Sequence, residues 1–245
     1  MQLIVFIVII LITLYFKGVI IMMNIKTYLA DNENKMNYGV AFPDNYKDLP
    51  LVIYLHGAGE RGKNFEHVYR HGIPKFIKEG REINAVVLFP QCPAPFIWNN
   101  MVNELKTIID DVAEEYEILK DRIVLTGSSM GGYGTWETAM CFPETFAAIA
   151  PVAGGGVMWR TEKLKNVPVL AYHGEKDSVV PLSQSQIMVE YTVKNGGTAE
   201  LNVLKGYEHN DGIDYAYRET DLIERLISYR KSDFTHIPEP CEEYF

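Results

Sequence analysis

The chain has 245 residues, enough for one sizeable buried core, and its 47% apolar and 22% charged residues are ordinary for a soluble globular protein. A formal charge of −9, with no clustered basic stretch, excludes the phosphate-binding surface that nucleic acid requires. Three cysteines, Cys92, Cys141 and Cys241, make no disulfide framework; Cys92 and Cys141 sit among apolar neighbours and read as small core residues. Neither CxxC nor HExxH occurs, so a metal site has no support.

Residues 1–23 form an apolar segment interrupted by Lys17. The positive charge follows the apolar run instead of preceding it, and no small-residue cleavage site follows, both of which weigh against a secretory signal. Three readings are open, in this order: a false start upstream of Met22 or Met23, a membrane anchor, and a cleaved signal. A false start leaves a cytoplasmic protein; the other two make it membrane-anchored or secreted. Membrane contact is expected only if residues 1–23 are retained.

From residue 24 to 231 short β-rich runs alternate with helical periodicity. The predicted strands are Tyr38–Phe42, Leu51–Leu55, Ala85–Phe89, Arg122–Thr126, Ala147–Val152, Val167–Tyr172 and Glu200–Leu204. His67 and His71 fall in a predicted surface helix. Glu104–Leu119 places Leu105, Ile108, Ile109, Val112, Tyr116 and Leu119 on one helical face. Gly132–Cys141 is helical. Ser183 and Gln186 form a predicted capping box for a helix that stops at Asn195-Gly196-Gly197. A last helix, Arg218–Arg230, buries Leu222, Ile223, Leu226 and Ile227. Residues 232–245 read as an irregular acidic tail. This alternation implies an α/β fold, a mostly parallel central sheet with helices on both faces. The stretch between Val152 and Val167 is too short for a lid domain.

Gly127-Ser128-Ser129-Met130-Gly131 is a G-x-S-x-G pattern between a predicted strand and a predicted helix. Such a junction needs a sharp turn in which the residues two before and two after the serine crowd together, so only glycine fits. The turn lifts the Ser129 hydroxyl off the sheet edge as a nucleophile. His56-Gly57-Ala58-Gly59-Glu60-Arg61-Gly62 follows the strand Leu51–Leu55. Its small residues suit an oxyanion hole, with the Met130 N–H as one donor and Ala58, or else Gly59, as the other.

A nucleophilic serine needs a base and an acid. Asp177, in the segment after the strand Val167–Tyr172, is the predicted acid, with Glu175 as a weaker alternative. His209, after the strand Glu200–Leu204, is the predicted base; the order Ser129, Asp177, His209 is that of one hydrolase class. Of the other histidines, His67 and His71 read as solvated, His56 and His173 as loop anchors, and His236 as part of the tail. Trp98 reads equally as a pocket wall or a packed core residue. Gly155, within Gly154–Gly156, lines the site floor or forms only a turn. Glu60 and Arg61 read as a loop staple, with substrate binding by Arg61 the weaker alternative.

Together Leu55–Gly62, Pro90–Cys92, Thr126–Trp136 and His173–Pro181 resemble the lidless α/β-hydrolases. The group is that of carboxylesterases and "predicted peptidases" related to dienelactone hydrolase, feruloyl esterase and polyhydroxybutyrate depolymerase. The resemblance covers about residues 36–230 and implies Ser129, Asp177 and His209 as a triad. Serine at 129 departs from dienelactone hydrolase itself, whose nucleophile is cysteine. The expected activity is hydrolysis of a small-molecule or carbohydrate-linked ester, with no cofactor. A peptidase of small peptides is the first alternative, and a non-catalytic binding module on a hydrolase scaffold the second.

Overall fold

The computed structural model describes residues 23–32 and 34–231. The apolar run before residue 23, the tail with His236, and Cys241 lie outside the described residues.

Among the described residues eight strands form one sheet in the order β1-β2-β4-β3-β5-β6-β7-β8. They are β1 (Asn24–Tyr28), β2 (Asn37–Phe42), β3 (Leu51–Leu55), β4 (Val86–Gln91), β5 (Ile123–Ser128), β6 (Ala148–Val152), β7 (Val169–Gly174) and β8 (Ala199–Leu204). β1 and β2 are antiparallel to their neighbours, and every pairing from β4 to β8 is parallel. A parallel ladder is covered on both faces, so its strands are apolar throughout. β3 shows this: Leu51, Ile53 and Leu55 enter one core, Val52 and Tyr54 the other, and all five are buried.

Among the described residues six α-helices connect and cover the sheet: α1 (Gly72–Lys78), α2 (Val102–Glu115), α3 (Met130–Cys141), α4 (Ser183–Lys194), α5 (His209–Glu219) and α6 (Leu222–Ser228). Between β6 and β7 a 3-10 helix, Met158–Leu164, packs against α4, and no lid rises over the sheet among the described residues. Among those residues no helix is long and apolar enough to cross a membrane.

Several expected elements shift. β1 carries no strong apolar alternation and is half-exposed; it is held by its ladder to β2 and by the Tyr28 ring stacked on Tyr38 at 4.5 Å. α2 ends at Glu115 because Glu117 adopts φ 51°, so Leu119, expected on the buried face, turns outward and is exposed. Arg218–Arg230 is not one helix. Thr220 is extended, its hydroxyl accepts the Leu222 N–H at 3.2 Å, and α6 begins there after α5 has ended. No capping box starts α4: Leu182 caps it without a side-chain hydrogen bond. His67 lies in a 3-10 helix, Phe65–Tyr69, and His71 caps α1, so no single surface helix carries both.

Candidate active site

The end of β5 and the start of α3 meet at Ser129, which has φ 56° and ψ −119°. This backbone region costs a non-glycine residue about 1–3 kcal/mol and persists only where the surroundings enforce it. They do so here. The Ser129 N–H donates to Val152 O at 2.9 Å, its carbonyl accepts from the Tyr133 N–H at 3.1 Å, and the neighbouring Ser128 hydroxyl meets the Tyr54 hydroxyl at 3.0 Å. A Cβ on Gly127 would lie 2.5 Å from Gly131 O, and one on Gly131 would lie 1.9 Å from Leu55 O. Both glycines of the pattern are thus required by close backbone approach.

The Ser129 Oγ is 2.9 Å from His209 Nε2, and His209 Nδ1 is 2.6 Å from Asp177 Oδ2. Three residues far apart in sequence meet because the chain brings their loops together. β7 and β8 are neighbours, and the backbone continues their pairing past the strands: the Glu175 N–H donates to Leu204 O and the Lys176 N–H to Tyr207 O, both at 2.9 Å. Asp177 is buried, its Oδ1 accepting from the N–H groups of Val179 (2.9 Å) and Val180 (2.8 Å). Glu175, the alternative acid, is exposed and accepts from the Gly206 N–H instead of facing His209.

After β3, Ala58 and Gly59 are exposed and open a 3-10 helix, Ala58–Glu60, while Gly57 lies against Ser129. Burial pushes the carboxyl of Glu60 up, and Arg61 donates to the carbonyls of Ala58 and Phe96, stapling two loops. Gln91, in the Pro90–Cys92 motif but given no role by the sequence, binds the Glu60 and Asn64 carbonyls from its buried amide and fixes the same loop.

His56 anchors this loop. Its Nδ1–H donates to Gly57 O at 2.6 Å and its Nε2 accepts the Cys92 N–H at 3.0 Å. Burial lowers its pKa to about 4, so the ring stays neutral. His173 is likewise buried and bonded at both ring nitrogens. His67 is half-buried, with Nδ1 shielded and unbonded, so it is not the solvated residue expected. His71 sits 3.8 Å from the Asp214 carboxylate, whose proximity raises its pKa.

An open pocket of about 460 Å³ is lined by Ile97, Asn99, Met130 and Tyr133. Trp98 is not its wall: it is wholly buried, with Nε1–H donated to His56 O at 2.9 Å, and its two chain neighbours face the space instead. Gly155 is buried against Gln184 and Tyr133, behind the lining. Tyr133 was legible in principle, one helical turn after Met130. Of the cysteines expected in the core, Cys92 is buried, with its thiol pushed up to about 12 by burial, whereas Cys141 is only half-buried beside Glu137 and Arg160.

Among known structures, that of a thermostable esterase superposes with a TM-score of 0.73 at 29% identity, covering 87% of this chain and 65% of the other. The chain has the α/β-hydrolase fold. The family model described as phospholipase/carboxylesterase matches residues 96–215, a span containing Ser129, Asp177 and His209. The chain is similar to a bifunctional acetylxylan esterase/xylanase of Neocallimastix patriciarum, 29% identical over 151 residues, 60% of this chain. It spans only 21% of that protein's length. A carboxylesterase of Arabidopsis thaliana is 23% identical over 214 residues, 74% of this chain and 90% of the other.

Proposed function

We propose that the protein hydrolyses carboxylic esters through an acyl-enzyme on Ser129. One observation carries this reading: the unbroken line of hydrogen bonds from Ser129 Oγ through both nitrogens of His209 to Asp177 Oδ2. His209 Nε2 takes the serine proton as Oγ attacks the ester carbonyl, and Asp177 fixes the ring tautomer and stabilises the imidazolium. The carbonyl oxygen becomes an oxyanion. Met130 and Ala58 are each the first residue of a helix, so neither N–H has a carbonyl partner within its own helix. These two amides, with Gly59 as the alternative to Ala58, are the donors for the oxyanion. The tetrahedral intermediate expels the alcohol, which takes the proton from His209. Water then attacks the acyl carbon, gives its proton to His209, and releases the acid as Oγ is reprotonated.

An open, largely apolar pocket beside Met130 suits a small acyl or aryl group with the remainder of the ester outside. The likeness to an acetylxylan esterase supports a carbohydrate-linked ester. The test is fluorophosphonate labelling with mass mapping, run beside p-nitrophenyl acetate and aminoacyl p-nitroanilide assays. Label on Ser129, and a loss of about 10⁴-fold or more in Ser129→Ala, is expected. Label elsewhere, an active Ser129→Ala, or higher kcat/KM on the anilides would overturn the reading.

A further inference from the structure

A second histidine borders Asp177, and the proton path through Ser129 and His209 does not use it. His173 lies in β7, four residues before Asp177, and is wholly buried. Its Nε2 is 2.8 Å from Val180 O and 3.4 Å from Asp177 Oδ2. A carbonyl only accepts, so Nε2 carries the ring proton. Burial holds the ring below the ordinary histidine range and keeps it neutral. Nδ1 then carries no hydrogen, and the Ser185 hydroxyl, 2.7 Å away, divides its single hydrogen between this nitrogen and Gly154 O, 2.8 Å from the same oxygen. One ring thus ties β7 to the Asp177 loop, to the first turn of α4 and to the glycine segment after β6.

The Asp177 carboxylate shows what the ring does. Val180 gives its N–H to Oδ1 and its carbonyl to His173. The ring therefore holds in place the turn whose amides grip one carboxylate oxygen, while its Nε2–H borders the other. That second oxygen is the one 2.6 Å from His209. Without the ring the turn loses its anchor and the carboxylate is free to rotate away from His209.

We propose that His173 is a positioning residue that aims Asp177 Oδ2 at His209, an inference that rests on the reading of Ser129, His209 and Asp177 as the catalytic triad. It makes no contact with substrate in this role. Its effect belongs in kcat, because ground-state binding in the pocket does not pass through it.

Two substitutions separate positioning from mere packing. In His173→Gln the amide N–H replaces the Nε2 donor, whereas His173→Asn reaches Ser185 but leaves no donor at Val180 and Asp177. Since a misplacement of ~1 Å costs about 100-fold, His173→Asn is expected to lose about 10- to 100-fold in kcat, with KM changed less than about twofold. The pH limb of kcat/KM set by His209 should move down by about half a unit, because a misaligned carboxylate supports the imidazolium less. His173→Gln should recover most of both losses. If His173→Asn does not fold, Ser185→Ala replaces it: the ring loses its Nδ1 partner, and a severalfold fall in kcat at constant KM is expected. A folded His173→Asn, or Ser185→Ala in its place, with wild-type kcat and an unmoved limb overturns the proposal; so do equal losses in His173→Asn and His173→Gln. Ser129→Ala, assayed alongside, separates the levels. If it retains hydrolysis, the acyl-enzyme reading falls and His173 with it; if it is inactive while His173→Asn matches wild type, only the role of His173 falls.

Discussion

Replacing Gly131 with alanine tests whether backbone contact with β3 is what holds the bend at Ser129. The new Cβ would lie 1.9 Å from the Leu55 carbonyl oxygen, 2.5 Å from the Leu55 carbonyl carbon and 2.8 Å from His56 O. A relaxed C···O contact is about 3.3 Å, so the first of these must open by about 1.4 Å. No rotamer change provides it, because the clashing atoms are main chain and β3 is laddered to β4 on one side and β5 on the other. Either the first turn of α3 withdraws or the end of β3 bends, and both separate the Met130 amide from the loop that carries Ala58. Overpacking ordinarily costs 1–3 kcal/mol; two rigid carbonyls put this case at about 3 kcal/mol or more. For a domain of this size that lowers Tm by roughly 6–12 °C. The displacement, above ~1 Å, is expected to lower kcat/KM by about 100-fold. Gly59→Ala is the matched control, since its Cβ would meet nothing within 4 Å; its stability should stay within about 0.5 kcal/mol. Thermal unfolding by circular dichroism and hydrolysis of p-nitrophenyl acetate read both variants. A Gly131→Ala protein that melts within about 2 °C of wild type and keeps its kcat/KM would refute the steric account.

Trp98→Phe keeps a ring in the core but removes the donor to His56 O, leaving a buried carbonyl unpaired; a loss of roughly 2–4 kcal/mol is expected in urea unfolding, and less than about 0.5 kcal/mol would show that the indole N–H holds nothing. His56 titrates near 4 in the folded protein, well below the 6.5 of an ordinary histidine, so the unfolded chain binds more protons between those values. Its contribution, roughly 3 kcal/mol, is present in full above pH 6.5 and is lost as pH falls towards 4. Denaturant unfolding followed from pH 7 to 4 should therefore show a steeper loss in the wild type than in His56→Gln, and equal slopes would contradict the assignment.

The parts of this site legible in the sequence are those whose physics is local. A strained serine flanked two residues away by glycines is a steric statement about a few consecutive residues, and the structure shows the contacts it implies at Gly127 and Gly131. The strands between residues 38 and 204 were equally readable, because a strand covered on both faces leaves a continuous apolar run. What could not be read depended on distant partners. Trp98 was ambiguous because nothing in its neighbourhood says that the carbonyl of His56 waits for its N–H. β1 was missed because its support is a tyrosine stack on β2 and hydrogen bonds from the Tyr28 hydroxyl to Glu115, not its own apolar pattern. The break between α5 and α6 turns on one threonine hydroxyl taking a backbone N–H, a choice that periodicity does not encode.

The strain at Ser129 explains why so much of the surrounding polar network is internal. A residue at φ 56° stays there only if its alternatives are blocked, and each neighbour blocks one. Val152 O holds its N–H, the Tyr133 N–H holds its carbonyl, and Leu55 O leaves no room for the helix behind it to rotate. Val152 is itself followed by Ala153 at φ 49°, whose N–H is held by Tyr172 O. β5, β6 and β7 are therefore tied together at their carboxyl ends, with a strained residue after each of the first two, and β7 ends in His173 and Gly174, just before the loop of Asp177. The constraint that lifts the serine hydroxyl and the one that seats its acid partner run through the same three strand ends.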